Sequence, residues 1–255
     1  MMIPAEIQCL ARRQLADYDA RMPGTMFADR GSTLTIEDAY HLQIESAGLR
    51  SVRGEAIAGY KIGCVSDMMQ RQLGVTQPVF GHVFASEIRS GPIVLSTKHF
   101  DHLALEGEFA VTLAADIPDP EVLRENPRPY VCEVFPIIEL HNYVFRGPEP
   151  FAAALIANNA IHAGIVVPAR RATAEGHETL KIAVEINGEQ RGVASLDPRT
   201  TLFPLARLLH TFDIHLREGD IVLTGSPLPL YRVDEGDRVK VCCLAVAELE
   251  VTVGA

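Results

Sequence analysis

Leu103-Ala104-Leu105-Glu106-Gly107-Glu108-Phe109-Ala110-Val111-Thr112-Leu113 is the stretch that decides the fold. It reads as a β-strand, and in a strand residues i and i+2 share a face. Glu106 and Glu108 therefore project together, separated only by Gly107. A second apolar run, Val134 to Leu140, carries Glu139 among Pro136, Ile137 and Ile138. A solvated strand face is the competing reading of the Glu106–Glu108 pair. Leu105 and Phe109 beside the pair, and Glu139 in a comparably apolar run, argue for a site instead. Unpaired charge on apolar strands is costly to bury. A divalent cation compensates it, and oxygen-only ligands point to a hard ion, Mg2+ or Mn2+.

Working outward, the N-terminal residues are helical in pattern. Pro4 to about Met22 places Ile7, Leu10, Leu15, Tyr18 and Met22 at helical spacing. Thr35-Ile36-Glu37-Asp38 is an N-cap signal, and the helix it opens runs to about Ala47, with Gly48 placed to end it. Residues 1–55 are thus expected to form a small helical subdomain, and 56–255 a metal-binding catalytic domain.

Beyond Ala56 short strands dominate. Gly59-Tyr60-Lys61-Ile62-Gly63 is a strand with Lys61 near its end, and Ser66 caps a short helix over 67–73. Strands are predicted at 82–86, 92–95, 103–114 and 131–140, and a helix from Glu149 to Ile161. A strand at 180–186 meets Asn187-Gly188, a type I′ hairpin signal. A helix over Pro204–His210, a strand Ile221–Thr224, and closing strands 238–247 and 248–253 complete the chain. This pattern predicts an α+β fold, a strand-rich mixed roll or sandwich with helices inserted.

The chain has 255 residues, 47% of them hydrophobic, enough for one large domain with an appendage. Its formal charge is −10 and it has no basic run, which argues against a nucleic-acid partner. Apolar runs fall short of the roughly 18–20 residues of a membrane span. The first residues, Met1-Met2-Ile3-Pro4, predict no secretory leader. Five cysteines without a CxxC pattern read as reduced thiols in a cytoplasmic protein.

Several motifs occur in one order: Gly59-Tyr60-Lys61-Ile62-Gly63, Leu73-Gly74-Val75 with Gln77-Pro78 and Phe80-Gly81, Glu106-Gly107-Glu108, Ile138-Glu139, and Gly219-Asp220-Ile221-Val222-Leu223-Thr224-Gly225. From about Thr35 onward the chain resembles the 2-oxopent-4-enoate hydratase and 4-oxalocrotonate decarboxylase family, within the fumarylacetoacetate hydrolase superfamily. The resemblance implies a β-roll with a helical start, Glu106, Glu108 and Glu139 as ligands of Mg2+ or Mn2+, and a homo-oligomer. It implies a lyase, hydratase or decarboxylase, acting on a small unsaturated 2-oxo acid of the aromatic meta-cleavage type. Lys61 matches a lysine near the active site. Val79, Phe80, Asn142, Asn159, Thr224 and Ser226 fall where substrate is expected to bind.

The chain departs from the family pattern around the substrate. Thr76 and Val79 stand where an acid is usual, Asn142 and Val144 replace aspartate and arginine, Asn158 replaces aspartate, and Ile161 and His162 replace small hydroxyl residues. Ser226-Pro227-Leu228-Pro229 replaces a small-residue loop. The missing loop carboxylate tilts the reading away from water addition. Three alternatives follow. An acylpyruvate-type C–C hydrolase would use His162 as the base that activates water. An oxaloacetate decarboxylase is the second. The third is an inactive oligomer that keeps metal and ligand. Alternation puts His141 on the Glu139 face and Asn142 opposite. Arg71 and Arg146 are candidate partners of a distal carboxylate, with surface charge the plainer reading. The segment 149–178 is a candidate lid.

Overall fold

The computed structural model describes residues 2–25, 34–144, 151–173 and 178–255. Two helices lead, α1 (Pro4–Asp19) and α2 (Ile36–Val52). Pro4 sits in the first turn of α1, where its missing N–H costs nothing. At α2 the Thr35 hydroxyl accepts from the Asp38 amide at 3.1 Å, and the Asp38 carboxylate accepts from the Thr35 amide at 3.3 Å. The expected stop at Gly48 does not occur, and α2 runs on to Val52. The residues after Gly48 have a reason to stay helical. Arg50 is buried, stacks on Phe84 at 3.6 Å, and pairs with Glu55 at 2.5 Å and Glu87 at 2.8 Å. Gly54, with φ +97°, makes the left-handed turn instead.

Burial raises the Glu55 carboxyl pKa, but hydrogen bonds from Arg50 and Arg53 outweigh it and hold the pKa down at about 2. A depressed carboxylate stabilises the fold above its ordinary value and loses that contribution as pH falls through the folded value. Glu55→Gln should therefore lower stability at neutral pH by about 1 kcal/mol or less, given the partial exposure. The deficit should close as pH falls from 4.5 toward about 2. Chemical denaturation across that range checks it, and a deficit independent of pH would contradict it.

The strands begin with β1 (Ile57–Gly63), followed by α3 (Asp67–Leu73), which Ser66 caps. Next come β2 (Val79–Phe84), β3 (Ile88–Ser90), β4 (Ile93–Ser96) and β5 (Leu103–Leu113). A short α4 (Glu121–Glu125) precedes β6 (Val131–Asn142). After α5 (Ala152–Ala157) come β7 (His162–Val167), β8 (Ala172–Thr173), β9 (Leu180–Ile186) and β10 (Glu189–Leu196). Then α6 (Leu202–His210) leads to β11 (Ile221–Leu223), β12 (Tyr231–Arg232), β13 (Arg238–Cys243) and β14 (Ala247–Gly254). Asn187 and Gly188 both have positive φ, as a type I′ turn requires. Strand β7 escapes the sequence reading because it is buried on both faces and so does not alternate. The helix expected over 149–161 stops at Ala157 among the described residues, where Asn158 caps it.

One sheet has the order β2-β1-β11-β5-β6-β7-β3, with β12 also on β5 and β8 on β6. The second has the order β10-β9-β13-β14-β4. Pairing is mixed: β1–β11, β3–β7 and β4–β14 are parallel. The first sheet curls, so that Val83, Ala110, Phe135, Ile137, Ile165 and Leu223 from five strands meet in one buried inner cluster. Its outer face carries Leu105, Phe109 and Val111 in the main core with Val184 and Val241 of the second sheet. At Gly107 the sheets are so close that a Cβ would lie 2.4 Å from Val184 Cγ2 and 3.0 Å from Val241 Cγ2. This contact explains the Glu-Gly-Glu pattern: the glycine admits the second sheet, and the flanking glutamates face the roll interior. Gly107→Ala should cost about 1–3 kcal/mol by overpacking. A melting temperature equal to wild type would contradict the close approach.

Candidate active site

The inner face of β1, β5 and β6 gathers the charged residues at one end of the roll. Register places Glu106 directly opposite Glu139, with Glu108 opposite Ile137 and Ala104 opposite His141. Lys61 on β1 pairs with Gly81 of β2, so it faces inward while Tyr60 and Ile62 face out. Four of these side chains are nearly or fully withdrawn from solvent: Lys61 at 4%, Glu108 at 0%, Glu139 at 0% and His141 at 2% exposure.

Glu139 is held from one side only. Its Oε1 lies 2.7 Å from Lys61 Nζ and 2.7 Å from His162 Nδ1. Its Oε2 makes no hydrogen bond and faces His141 Nε2 at 3.5 Å. His141 Nε2 also lies 3.2 Å from Glu106 Oε2, out of hydrogen-bond alignment. One ligand atom each from Glu106, Glu139 and His141 falls within a span of 4.8 Å. Both oxygens of Glu108 are buried and make no well-aligned hydrogen bond, the Gly225 amide being the backbone group that favours the carboxylate.

Burial raises the Glu108 pKa well above the ordinary carboxylate range, and Glu139 adds to the rise. Burial also works against the Glu139 carboxylate, but Lys61, His141 and His162 outweigh it and hold its pKa well below that range. Burial disfavours the Lys61 ammonium, yet Glu139, Glu106 and Glu108 raise its pKa overall. One lysine thus serves three glutamates, with His141 beside Glu106 and Glu139 and His162 beside Glu139. The orphaned oxygen of Glu139, with Glu106 and His141 around it, fits a divalent cation, and Glu108 stands on the same strand face outside that set. His141 adds a nitrogen to the expected all-oxygen set, which favours a transition ion such as Mn2+ over Mg2+.

A cleft of about 340 Å³ opens over this cluster. Lys61, Glu106 and His141 form its polar floor. Val79, Leu73, Leu155, Ile161 and Leu230 make apolar walls, and Tyr143 and Arg232 line it as well.

Of the residues expected to bind substrate, Val79 lines the cleft. Phe80 faces the other way and stacks on Tyr40 at 4.9 Å. Asn142 accepts from the Asp101 amide at 2.9 Å. Thr224 donates to the Phe109 carbonyl at 2.9 Å, and Ser226 to those of Gly107 and Leu228 at 3.1 and 2.9 Å. Those three side chains hold strands and loops together and do not line the cleft. Asn159 accepts from the His82 amide at 2.7 Å and donates to its carbonyl at 2.8 Å. It thereby pins a turn in which Asn159, Ala160 and Ile161 all have φ above +50°. Such backbone costs about 1–3 kcal/mol per residue and persists only when its surroundings hold it. Ala160 and Ile161 of this turn line the cleft.

His162 lies behind Glu139. Its Nε2 is unpartnered, and its ring borders a separate cavity of about 50 Å³ against α1 and α2. It is therefore placed to orient Glu139, and not at the cleft where a water-activating base would stand. Arg71 does not line the cleft, and Arg146 lies outside the described residues, as does part of the 149–178 segment. Sequence reasoning did not select Arg232. Its place follows from β12 pairing on β5, which two residues of strand do not announce.

The fumarylacetoacetate (FAA) hydrolase C-terminal family profile matches residues 55–254. The chain is 29% identical to 2-hydroxyhexa-2,4-dienoate hydratase of Comamonas testosteroni, over 82% of this chain and 83% of that one. It is 28% identical to 4-oxalocrotonate decarboxylase of Pseudomonas putida, over 82% and 81%. The solved 4-oxalocrotonate decarboxylase of Pseudomonas putida G7, complexed with magnesium and adipate, superposes with a TM-score of 0.89 at 21% identity, over 99% of both chains. With the profile covering most of its length and the roll carrying a paired-carboxylate site, the chain belongs to the fumarylacetoacetate hydrolase C-terminal family.

Proposed function

We propose that this chain is a divalent-metal-dependent lyase that acts on a small unsaturated 2-oxo acid, by decarboxylation in preference to hydration. The observation that carries the reading is the set Glu106, Glu139 and His141, whose ligand atoms fall within 4.8 Å of one another, with an unpartnered buried oxygen on Glu139; Glu108, fully buried on the same strand face, lies outside that span. The hydratase and decarboxylase activities of the relatives support the same class.

Glu106, Glu108, Glu139 and His141 would hold the ion. When bound, it supplies a Lewis acid for the 1-carboxylate and 2-oxo oxygens of the substrate. The rest falls to the protein. Lys61 and His162 fix Glu139 through one oxygen, so the other stays aimed at the cluster. Lys61 also lines the cleft, where its ammonium attracts an anionic substrate. The apolar walls exclude water and strengthen every charge interaction inside. Loss of CO2 leaves an electron pair that needs one proton, and Lys61 Nζ lines the cleft where it can carry that proton. Water addition would need a further group to activate the water, and Val79 supplies none.

A homo-oligomer in the cytoplasm is part of the same proposal. The five free cysteines fit a reducing setting. Among the described residues no helix is long and apolar enough to cross a membrane.

The test is a spectrophotometric assay with 2-hydroxymuconate (or its oxo tautomer) and 2-hydroxypenta-2,4-dienoate, with and without Mg2+ or Mn2+, and with product identification. The expected result is metal-dependent loss of absorbance with CO2 release. Water incorporated without CO2 would make it a hydratase. Turnover unchanged in excess chelator would overturn the metal-dependent reading altogether.

A further inference from the structure

We propose that the two N-terminal helices position the cleft, and that Gln43 of α2 is the positioning residue that fixes the spacing of its walls. Both helices precede residue 55, where the match to the family profile begins. The inference rests on the proposed lyase function and adds a residue that acts on the bound substrate through the main chain of the walls.

Gln43 is 2% exposed, and its Nε2 donates to two carbonyls at once, Phe80 at 3.0 Å and Ile156 at 2.7 Å. The first belongs to β2 and the second to α5. β2 is an edge strand of its sheet, so its outward main-chain groups lack a neighbouring strand. Ile156 lies in the last turn of α5, where the helix has few donors left for its carbonyls. Val79 precedes Phe80, Leu155 precedes Ile156, and both line the cleft. One side-chain amide therefore sets the distance between the β2 wall and the α5 wall. Packing alone does not account for it. Gln43 Oε1 is buried without a hydrogen bond, a cost that an apolar side chain of the same length would avoid.

Gln14 of α1 extends the arrangement. It is 7% exposed, and its Nε2 donates to Asn158 Oδ1 at 2.5 Å and to the Ala157 carbonyl at 3.3 Å. Asn158 opens the left-handed turn over Asn159, Ala160 and Ile161, a strained backbone that must be held from outside. This turn brings Ala160 and Ile161 to the cleft and sets the Ala160 carbonyl 3.5 Å from Lys61 Nζ. Both glutamines thus end on main chain that carries cleft residues. The other polar anchors of the helices do not. Tyr18 and Arg50 donate to Glu87, which lines no part of the cleft.

The test is calorimetric titration of Mn2+-loaded protein with 2-oxohexanoate, a saturated and unreactive 2-oxo acid, well below the melting temperature. Gln43→Met keeps the length of the side chain and removes both donors. It should weaken 2-oxohexanoate at least about tenfold while moving Mn2+ affinity less than about twofold, because the proposed ligands stand on β5 and β6. Tyr18→Phe removes a hydrogen bond from helix to roll that reaches no cleft wall, so it should lower the melting temperature and leave both affinities unchanged. Gln14→Met should show the same split as Gln43→Met at about threefold, and it carries the test if Gln43→Met does not fold. Unchanged 2-oxohexanoate affinity in the folded glutamine variants, or an equal loss in Tyr18→Phe, would overturn the assignment and leave the lyase reading intact. Failure of wild type to bind 2-oxohexanoate in a Mn2+-dependent way would remove the lyase reading and this inference together.

Discussion

Glu108→Gln should raise the stability of the metal-free protein and abolish its response to metal. Glu108 is fully buried with neither oxygen in a well-aligned hydrogen bond, and burial and then Glu139 raise its pKa against the Gly225 amide. A carboxyl whose folded pKa is raised stabilises the fold below its ordinary value and loses that contribution as pH rises. Near neutrality the ionised form therefore opposes folding. Removing the charge should add about 1–3 kcal/mol to metal-free stability, the scale of an unsatisfied buried group. The gain should shrink as pH is lowered toward the ordinary carboxylate range. The same change deletes a proposed ligand, so the metal-induced rise in melting temperature should disappear. Activity should fall by more than the roughly 10–100-fold typical of residues that only support a ligand. Thermal melts with and without Mn2+ at several pH values read all of this. A destabilised variant that still responds to Mn2+ would sink the assignment.

Lys61→Ala should have the opposite sign without metal. Lys61 is the counter-charge for Glu139 at 2.7 Å, and both are buried. Removing one partner of a buried pair leaves the other uncompensated and costs about 3–5 kcal/mol. Here Glu106 and Glu108 add to the uncompensated charge, so metal should restore part of the loss. Lys61→Met, which keeps most of the stem, should lose less through packing and as much through charge. Urea denaturation of both variants, with and without Mn2+, separates the contributions. A loss below about 1 kcal/mol would mean that the pair is not buried as described.

The site was legible in the sequence where strand alternation alone decides position. Glu106 and Glu108 share a face because Gly107 lies between them, and the second sheet packs on that glycine. His141 follows Glu139 by the same period of two, and its ring closes the cluster. What alternation does not give is which face of a strand meets the site. Phe80 sits one residue from Val79 and from Gly81, yet it belongs to the outer core with Tyr40. Asn159, Thr224 and Ser226 lie in segments near the site, but nearby main-chain groups take their side chains. His162 follows a left-handed turn and pairs with His141 across a register shift, so no periodic pattern predicts its direction. The roll was expected from short strands and turn signals. The long path of α2 through Gly48 depended on Arg50, whose partners come from β-strand and loop residues that the local pattern does not contain.

The central claim is that Glu106, Glu108, Glu139 and His141 hold one divalent ion. The most direct measurement is an anomalous difference map from crystals soaked in Mn2+. One peak per chain is predicted among these side chains, at about 2.0–2.2 Å from the carboxylate oxygens. No peak there, or a peak only elsewhere on the chain, would contradict the account.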